Sequence, residues 1–140
     1  MGNKFWVDMH GGSTHFPVAL VIASMFFDLI GYVLNREPHS RDLHVAAFYA
    51  LMLAALVTFG AVLSGLMISG WQVHGAGLLA KHHLFVWPAF GLIVALAIWR
   101  LIVRQQASRP AYAGYLVASV VTAVVVAASG YWGGEMLLGG

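Results

Sequence analysis

Charged residues are scarce in this 140-residue chain: seven Lys and Arg and five Asp and Glu make up only 9% of it, while 61% is hydrophobic. An ordinary soluble domain carries about 25% charged residues, so these few cannot cover a water-facing surface. None of them falls in the ranges 9–27, 43–80, 82–99 and 110–134. Each range reaches about 18 residues or more, enough for a helix to cross roughly 30 Å of hydrocarbon. The sequence therefore predicts an integral membrane protein in a lipid bilayer.

Cysteine is absent from the chain, and no stripe of basic residues is present. The absence of cysteine excludes disulfides, iron–sulfur clusters held by thiolates and covalently attached c-type haem. A net charge of only +2 gives nucleic acid no basic surface to bind, so we exclude it as a partner.

The hydrophobic runs predict one all-α transmembrane domain over residues 1–140, an up-down bundle of four helices. The predicted spans are about 14–34, 42–68, 78–104 and 111–132. Thr14 would cap the first helix, Pro17 would lie in its first turn, and Gly133-Gly134 would end the fourth helix. Because Lys4 is followed by Asp8, we expect the first apolar run to be mature helix rather than a signal peptide.

The basic residues of the loops predict the orientation. The first and third loops carry most of them, namely Arg36, Arg41, Arg104 and Arg109, with Arg100 just inside the membrane, whereas the other side has only Lys4 and Lys81. Basic loops stay on the cytoplasmic side of a membrane. We therefore expect a multi-pass protein with both termini on the periplasmic side.

Histidine is the unusual residue, with seven against five carboxylates. In the predicted topology five of them gather at the outer ends of the helices: His10, His15, His74, His82 and His83. Helices 1 and 3 of an up-down bundle lie diagonally across the core. His15 and either His82 or His83 would face each other there, an arrangement that holds the iron of one b-type haem. The smaller side chains below His82 favour it over His83.

Other residues at the same depth suit a haem pocket. Lys81 would meet the haem propionates, Trp132 would wall the pocket, and Gly133 and Gly134 would admit the edge of the ring. Glu135 would orient a ligating imidazole through its second N–H. A metal without haem is an alternative, with copper or zinc held by histidines from the set His10, His15, His74, His82 and His83.

A second group of polar residues is predicted near the cytoplasmic side. Asp28 is the one carboxylate inside a span, and His44 and Arg100 approach the same leaflet. Ionisable residues within a membrane are candidates for proton relays or binding sites. We expect this group to carry protons or to bind a quinone headgroup, unless Asp28 simply pairs with Arg100 or His44 to lock the bundle.

Four motifs in order carry a family resemblance: His15-Phe-Pro-Val-Ala-Leu20, the stretch Gly65 to Trp71, the histidines and Arg100 at the two ends of the third helix, and Trp132-Gly-Gly-Glu-Met136. Together they resemble a bacterial four-helix membrane family catalogued as a domain of unknown function. The resemblance implies four spans in the bacterial inner membrane, an exposed Gly-Gly segment and a place among respiratory components, with b-type haem.

The residues and the resemblance together predict a b-type cytochrome-like membrane subunit. It would pass electrons between a periplasmic carrier or partner subunit and the quinone pool, with other membrane or periplasmic subunits as partners. No nucleophile or base pattern indicates bond chemistry, so electron transfer is expected rather than substrate turnover. The alternatives are a haem-free structural or assembly subunit of a membrane complex, and a proton or metal permease.

Overall fold

Four long helices make up most of the part of the chain that the structure describes. The computed structural model describes residues 2–103 and 106–138, and the side chains of all of these except residues 2, 3 and 137. The helices are α1 (Gly2–Val33), α2 (Ser40–Ile68), α3 (Gly77–Val103) and α4 (Arg109–Leu138). All four are long and apolar enough to cross a membrane, which confirms the all-α, four-span prediction.

Two predicted helix ends are wrong, and both lie where the chain termini are. α1 begins at Gly2 rather than at Thr14, so Thr14 donates to the Gly11 carbonyl within the helix and Pro17 lies buried in its interior. α4 continues through Gly133 and Gly134, which are half-buried instead of forming an exposed segment. Both errors come from treating Thr14 and Gly133-Gly134 as signals for a helix end, whereas the helices continue through them. With 32 residues, α1 is about 48 Å long, more than the hydrocarbon requires.

The other helix ends agree with the prediction to within two residues where the structure describes them; the predicted end of the third helix, Arg104, lies outside the described residues. Ser40 begins α2 without capping it, because its hydroxyl donates to the Gly31 carbonyl of α1 at 2.8 Å. In the connection from α2 to α3, Gly75 has φ +66° and lies directly against Leu79, and the Trp87 indole donates to the Val73 carbonyl at 2.8 Å.

Consecutive helices run antiparallel, and each packs on its two neighbours in the ring α1–α2–α3–α4. α1 packs most extensively on α2, and α3 on α4, so α1 and α3 lie diagonally across the bundle as predicted. We call the end with both chain termini and the α2–α3 connection the terminal end. The opposite end, with the other two connections and Arg36, Arg41, Arg100 and Arg109, is the arginine end.

Small side chains fill much of the core. Ala47 and Ala54 of α2 are fully buried, and Ala89, Ala97 and Ala123 are nearly so. Small residues let helix backbones approach closely, which is the main source of packing energy in lipid, where burial of apolar surface gives little. Large apolar side chains instead lie on the outside, as Leu56, Ile102 and Val33 do. The bundle thus presents its apolar surface to lipid and keeps its few polar side chains inside.

Candidate functional site

The most connected polar group in the bundle surrounds Asp28 at the arginine end. Asp28 is completely buried, and its carboxylate accepts hydrogen bonds from residues of α2 and α4. Oδ1 accepts from the Tyr112 hydroxyl and lies 2.9 Å from Nδ1 of His44, while Oδ2 accepts from the Tyr115 hydroxyl at 2.9 Å. One buried carboxylate therefore joins three of the four helices.

Arg100 of α3 completes this group and brings in the fourth helix. Its side chain is 2% exposed, and Nη1 lies 3.4 Å from Oδ1 of Asp28. Nη1 also donates to the Tyr112 hydroxyl at 3.0 Å, and Nη2 donates to the His44 carbonyl at 2.9 Å. Within the described part of the chain, Nε of Arg100 has no hydrogen-bond partner. We call Asp28, His44, Arg100, Tyr112 and Tyr115 the Asp28 network.

Gly31 explains how an imidazole from α2 reaches the carboxylate on α1. The His44 ring lies against the backbone of Gly31, where an added Cβ would be 2.9 Å from Cε1 of the ring. Ser24, one turn before Asp28, donates to the Ala47 carbonyl of α2 at 2.8 Å. These contacts hold α1 and α2 close together beside the network and fix the orientation of the ring.

The network pairs one carboxylate with one guanidinium inside the bundle. An unpaired charge in hydrocarbon is expensive, so intramembrane ionisable groups pair with each other and face the bundle interior. The oxygen of Tyr112 also lies 2.8 Å from Nδ1 of His44, so hydroxyl, imidazole and carboxylate form one continuous hydrogen-bonded group.

Two cavities flank the network. The larger, about 530 Å³, is lined by α2 and α3 residues that include Arg41, Phe48, Tyr49 and Arg100. The smaller, about 360 Å³, lies toward the first connection and is lined by polar residues that include Glu37, Arg109 and Tyr112, again with Arg100. Arg100 therefore contacts both open spaces as well as Asp28.

The histidines at the terminal end form a second group, in which His10 and His82 correspond to each other. Nδ1 of His10 lies 3.0 Å from both the Ala61 carbonyl and the Ser64 hydroxyl of α2. Nδ1 of His82 lies 2.9 Å from the Ser129 carbonyl of α4. Each half-buried ring thus touches a neighbouring helix through the same nitrogen. The two rings lie on diagonal helices at the same end of the bundle.

A glycine lies under each of these two rings. A Cβ on Gly65 would be 3.0 Å from Cε1 of His10, and one on Gly133 would be 3.3 Å from Cε1 of His82. Gly133 therefore does lie beside a predicted ligand. A Cβ added to Gly134 would have no atom within 4 Å, so Gly134 takes no part in this packing.

His15 does not join the other histidines. It is exposed on α1, because the five residues that separate it from His10 turn the helix by about 140°. The half-buried histidines that contact neighbouring helices are His82 and His10, and we had placed His10 among the alternative metal ligands. His83 is only 8% exposed, and its Nδ1 has no partner among the described residues.

The remaining predicted site residues are spread over the terminal end. Nζ of Lys81 lies 4.7 Å from the centre of the half-buried Trp132 ring, and His74 is exposed in the α2–α3 connection. Glu135 is half-buried and makes no hydrogen bond or ion pair with the described residues, so it does not orient an imidazole. The described residues contain no cluster of three or more metal-ligating side chains, so they do not form a set of ligands for the haem-free metal site.

Comparison with protein families settles where the sequence belongs. The profile of a family described as a predicted membrane protein, DUF2231, matches residues 7–139. The chain belongs to the DUF2231 family. The resemblance to a four-helix membrane family of unknown function is thereby confirmed. Comparison with curated proteins and with solved structures gives no match.

For this DUF2231 protein, the sequence identified Asp28, His44 and Arg100 but missed their two tyrosine partners. Tyr112 and Tyr115 are three residues apart at the start of α4, so they share a helix face. Tyrosines at the end of a span are typical of the membrane interface, so the sequence offered no reason to single out these two. Their spacing, opposite a predicted intramembrane carboxylate, is the signal that could have found them.

Proposed function

We propose that this protein is a small b-type cytochrome subunit of the bacterial inner membrane, which passes electrons between a periplasmic carrier or partner subunit and the quinone pool. The observation that supports it best is the pair His10 and His82. Both imidazoles lie on diagonal helices at one end of the bundle, with Nδ1 on a carbonyl oxygen and a glycine beneath the ring.

The residues at the terminal end fit a haem group in their donor chemistry. Histidines that bind metal usually donate their other ring N–H to a carbonyl or carboxylate, which fixes the tautomer and the ring orientation. With Nδ1–H donating to Ala61 or Ser129, Nε2 of each ring is the nitrogen left for iron. Bound there, haem b would supply one-electron redox chemistry.

The neighbouring side chains would define the rest of that site. Gly65 and Gly133 keep the imidazoles close to the helix backbones, so a larger residue there would push a ring out of position. Lys81, whose Nζ lies over the Trp132 ring, is a cation at the same end of the bundle that would meet a propionate, and the buried Nδ1 of His83 has no partner among the described residues. An imidazole binds iron in its neutral form, with one ring nitrogen protonated and the other free.

A visible spectrum tests this proposal. The full chain, purified from membranes of cells supplied with haem precursor, should show a Soret band that shifts on reduction with dithionite. His10→Ala and His82→Ala should each lose or strongly alter the band. His15→Ala is the matched control on the exposed face of α1 and should keep it. No Soret band in the unaltered protein, or one lost in His15→Ala and kept in His10→Ala, would refute the assignment.

A second candidate is a haem-free structural or assembly subunit. It is favoured by the hydrogen bonds that His10 and His82 make to carbonyls of neighbouring helices, because these already satisfy one nitrogen of each ring and hold the helices together. In that case His10→Ala and His82→Ala would lower stability in detergent. Neither the variants nor the unaltered protein would show a haem spectrum.

A further inference from the structure

The two cavities at the arginine end share part of their walls. Arg41 and Arg100 line both, so the smaller, polar cavity adjoins the larger, mainly apolar one, and we call the two together the arginine groove. The face of α2 that carries Arg41 continues through Val45 and Phe48, at steps of four and three residues, along the larger cavity. Because Phe48 lies seven residues beyond Arg41, the groove follows α2 for about 10 Å from the arginine end toward the middle of the bundle.

The apolar part of the groove lies at the loosest contact of the ring. α2 and α3 pack on each other less extensively than any other pair of neighbouring helices. Tyr49 and Leu101, which line the larger cavity from these two helices, are 66% and 53% exposed on the lipid-facing surface. A space between apolar side chains that opens to the bilayer is filled by hydrocarbon in preference to water. An acyl chain, which bends to follow an uneven wall, therefore suits this cavity.

The polar part of the groove has an excess of positive charge. Arg41, Arg100 and Arg109 line the smaller cavity, and Glu37 is the one carboxylate in its described lining. Arg100 is paired with Asp28, whereas Arg41 and Arg109 form no ion pair with the residues that the structure describes. Two exposed guanidinium groups thus face one carboxylate. Because a guanidinium can donate two parallel hydrogen bonds to phosphate oxygens, a negatively charged phosphate group complements this cavity.

We propose that an anionic phospholipid binds in the arginine groove. Its phosphate lies between Arg41 and Arg109, and one acyl chain lies along Val45, Phe48 and Leu101. In the predicted orientation the groove belongs to the cytoplasmic leaflet, where basic residues next to a span attract anionic lipids. The bound lipid covers the seam between α2 and α3. This inference does not depend on the proposed haem.

Native mass spectrometry of the full chain in detergent tests the site. Dioleoylphosphatidylglycerol should bind saturably, and dioleoylphosphatidylcholine, which has the same acyl chains and no net charge, should bind more weakly. Arg41→Gln and Arg109→Gln should each weaken phosphatidylglycerol binding about tenfold, the effect of losing a hydrogen bond between charged groups. Arg36→Gln is the matched control, because Arg36 is exposed at the same end but lines neither cavity, and it should bind like the unaltered protein.

A second pair of variants tests the apolar part of the groove. Leu101→Trp places a large ring in the wall of the larger cavity and should weaken phosphatidylglycerol binding. Ile102→Trp is its control, because Ile102 is 76% exposed and does not line the cavity, and it should leave binding unchanged. Both residues face lipid, so both variants should keep the helix content of the unaltered protein, which circular dichroism measures.

Four results would overturn the proposal. The first is phosphatidylglycerol binding that does not saturate or that phosphatidylcholine equals. The second is an equal loss in all three arginine variants, which would show attraction to a positive surface rather than a site. The third is an equal effect of the two tryptophan substitutions. The fourth is displacement of the phospholipid by glycerol phosphate at similar concentrations, which would make the groove a site for a soluble phosphate compound.

Discussion

Replacing Asp28 by asparagine should strongly destabilise the bundle, mainly through the loss of one charge. An asparagine has nearly the same shape, its Oδ1 can still accept from Tyr112 and His44, and the Tyr115 hydroxyl can turn to accept from the new amide. What the variant lacks is the negative charge 3.4 Å from Nη1 of Arg100. At an effective dielectric constant of about 20, that attraction is worth about 5 kcal/mol.

The expected loss in free energy of unfolding is about 3–5 kcal/mol, the usual cost of removing one partner of a buried ion pair. It should be measured in mixed micelles, as helix content against the mole fraction of denaturing detergent. Glu37→Gln makes the same chemical change on an exposed residue of the first connection and should shift stability by no more than about 0.5 kcal/mol.

The double variant Asp28→Asn/Arg100→Gln shows whether charge is the cause. Removing both charges leaves no unpaired ion, so the double variant should be more stable than the sum of the two single losses implies, by about 1–3 kcal/mol. If Asp28→Asn unfolds like the unaltered protein, or if the two single losses simply add, the reasoning from charge pairing is refuted.

Two further predictions concern packing and topology. Gly31→Ala should push the His44 ring away from Asp28, because the new Cβ would lie 2.9 Å from Cε1, and should lower the free energy of unfolding by about 1–3 kcal/mol in the same assay. Gly91→Ala is the control and should leave stability unchanged, because a Cβ there meets nothing within 4 Å. Equal effects of the two substitutions would contradict the role of Gly31. Because the chain has no cysteine, single cysteines at the exposed Glu37 and Gln72 can be labelled with a membrane-impermeant maleimide. In intact spheroplasts only the position in the α2–α3 connection should react, and the reverse pattern would overturn the predicted orientation.

The sequence predicted the spans and their order well because a charge-free run is a direct physical requirement of the bilayer. It also predicted that Asp28 needs a partner, and the structure places both candidates, His44 and Arg100, against it. The lengths of α1 and α4 were harder to predict, because a helix can continue through polar residues beyond the hydrocarbon core of the bilayer. By placing the start of α1 at Thr14, the prediction left His10 just outside the helix, among the histidines at its outer end.

Helical register explains which histidine faces the interior. The buried residues of α1 recur at alternating steps of four and three, namely Pro17, Val21, Ser24, Asp28 and Gly31. Extended one heptad backward from Pro17, this stripe includes His10 and leaves out His15. The conspicuous motif around His15 and Pro17 drew the prediction to a histidine outside this stripe, although the stripe itself lies within the predicted span and reaches His10 once the helix is extended.

The same spacing recurs on both diagonal helices. Eighteen residues separate His10 from Asp28 on α1, and eighteen separate His82 from Arg100 on α3. Eighteen residues make five full turns and about 27 Å, so each histidine lies on the same face as the charged residue below it. This distance is close to the thickness of the hydrocarbon, about 30 Å, which puts one pair of interior polar residues near each membrane surface. The histidines contact α2 and α4 at one end, and the Asp28 network joins all four helices at the other. Polar contacts between helices therefore stabilise the bundle near both membrane surfaces, where burial of apolar surface in lipid gives little.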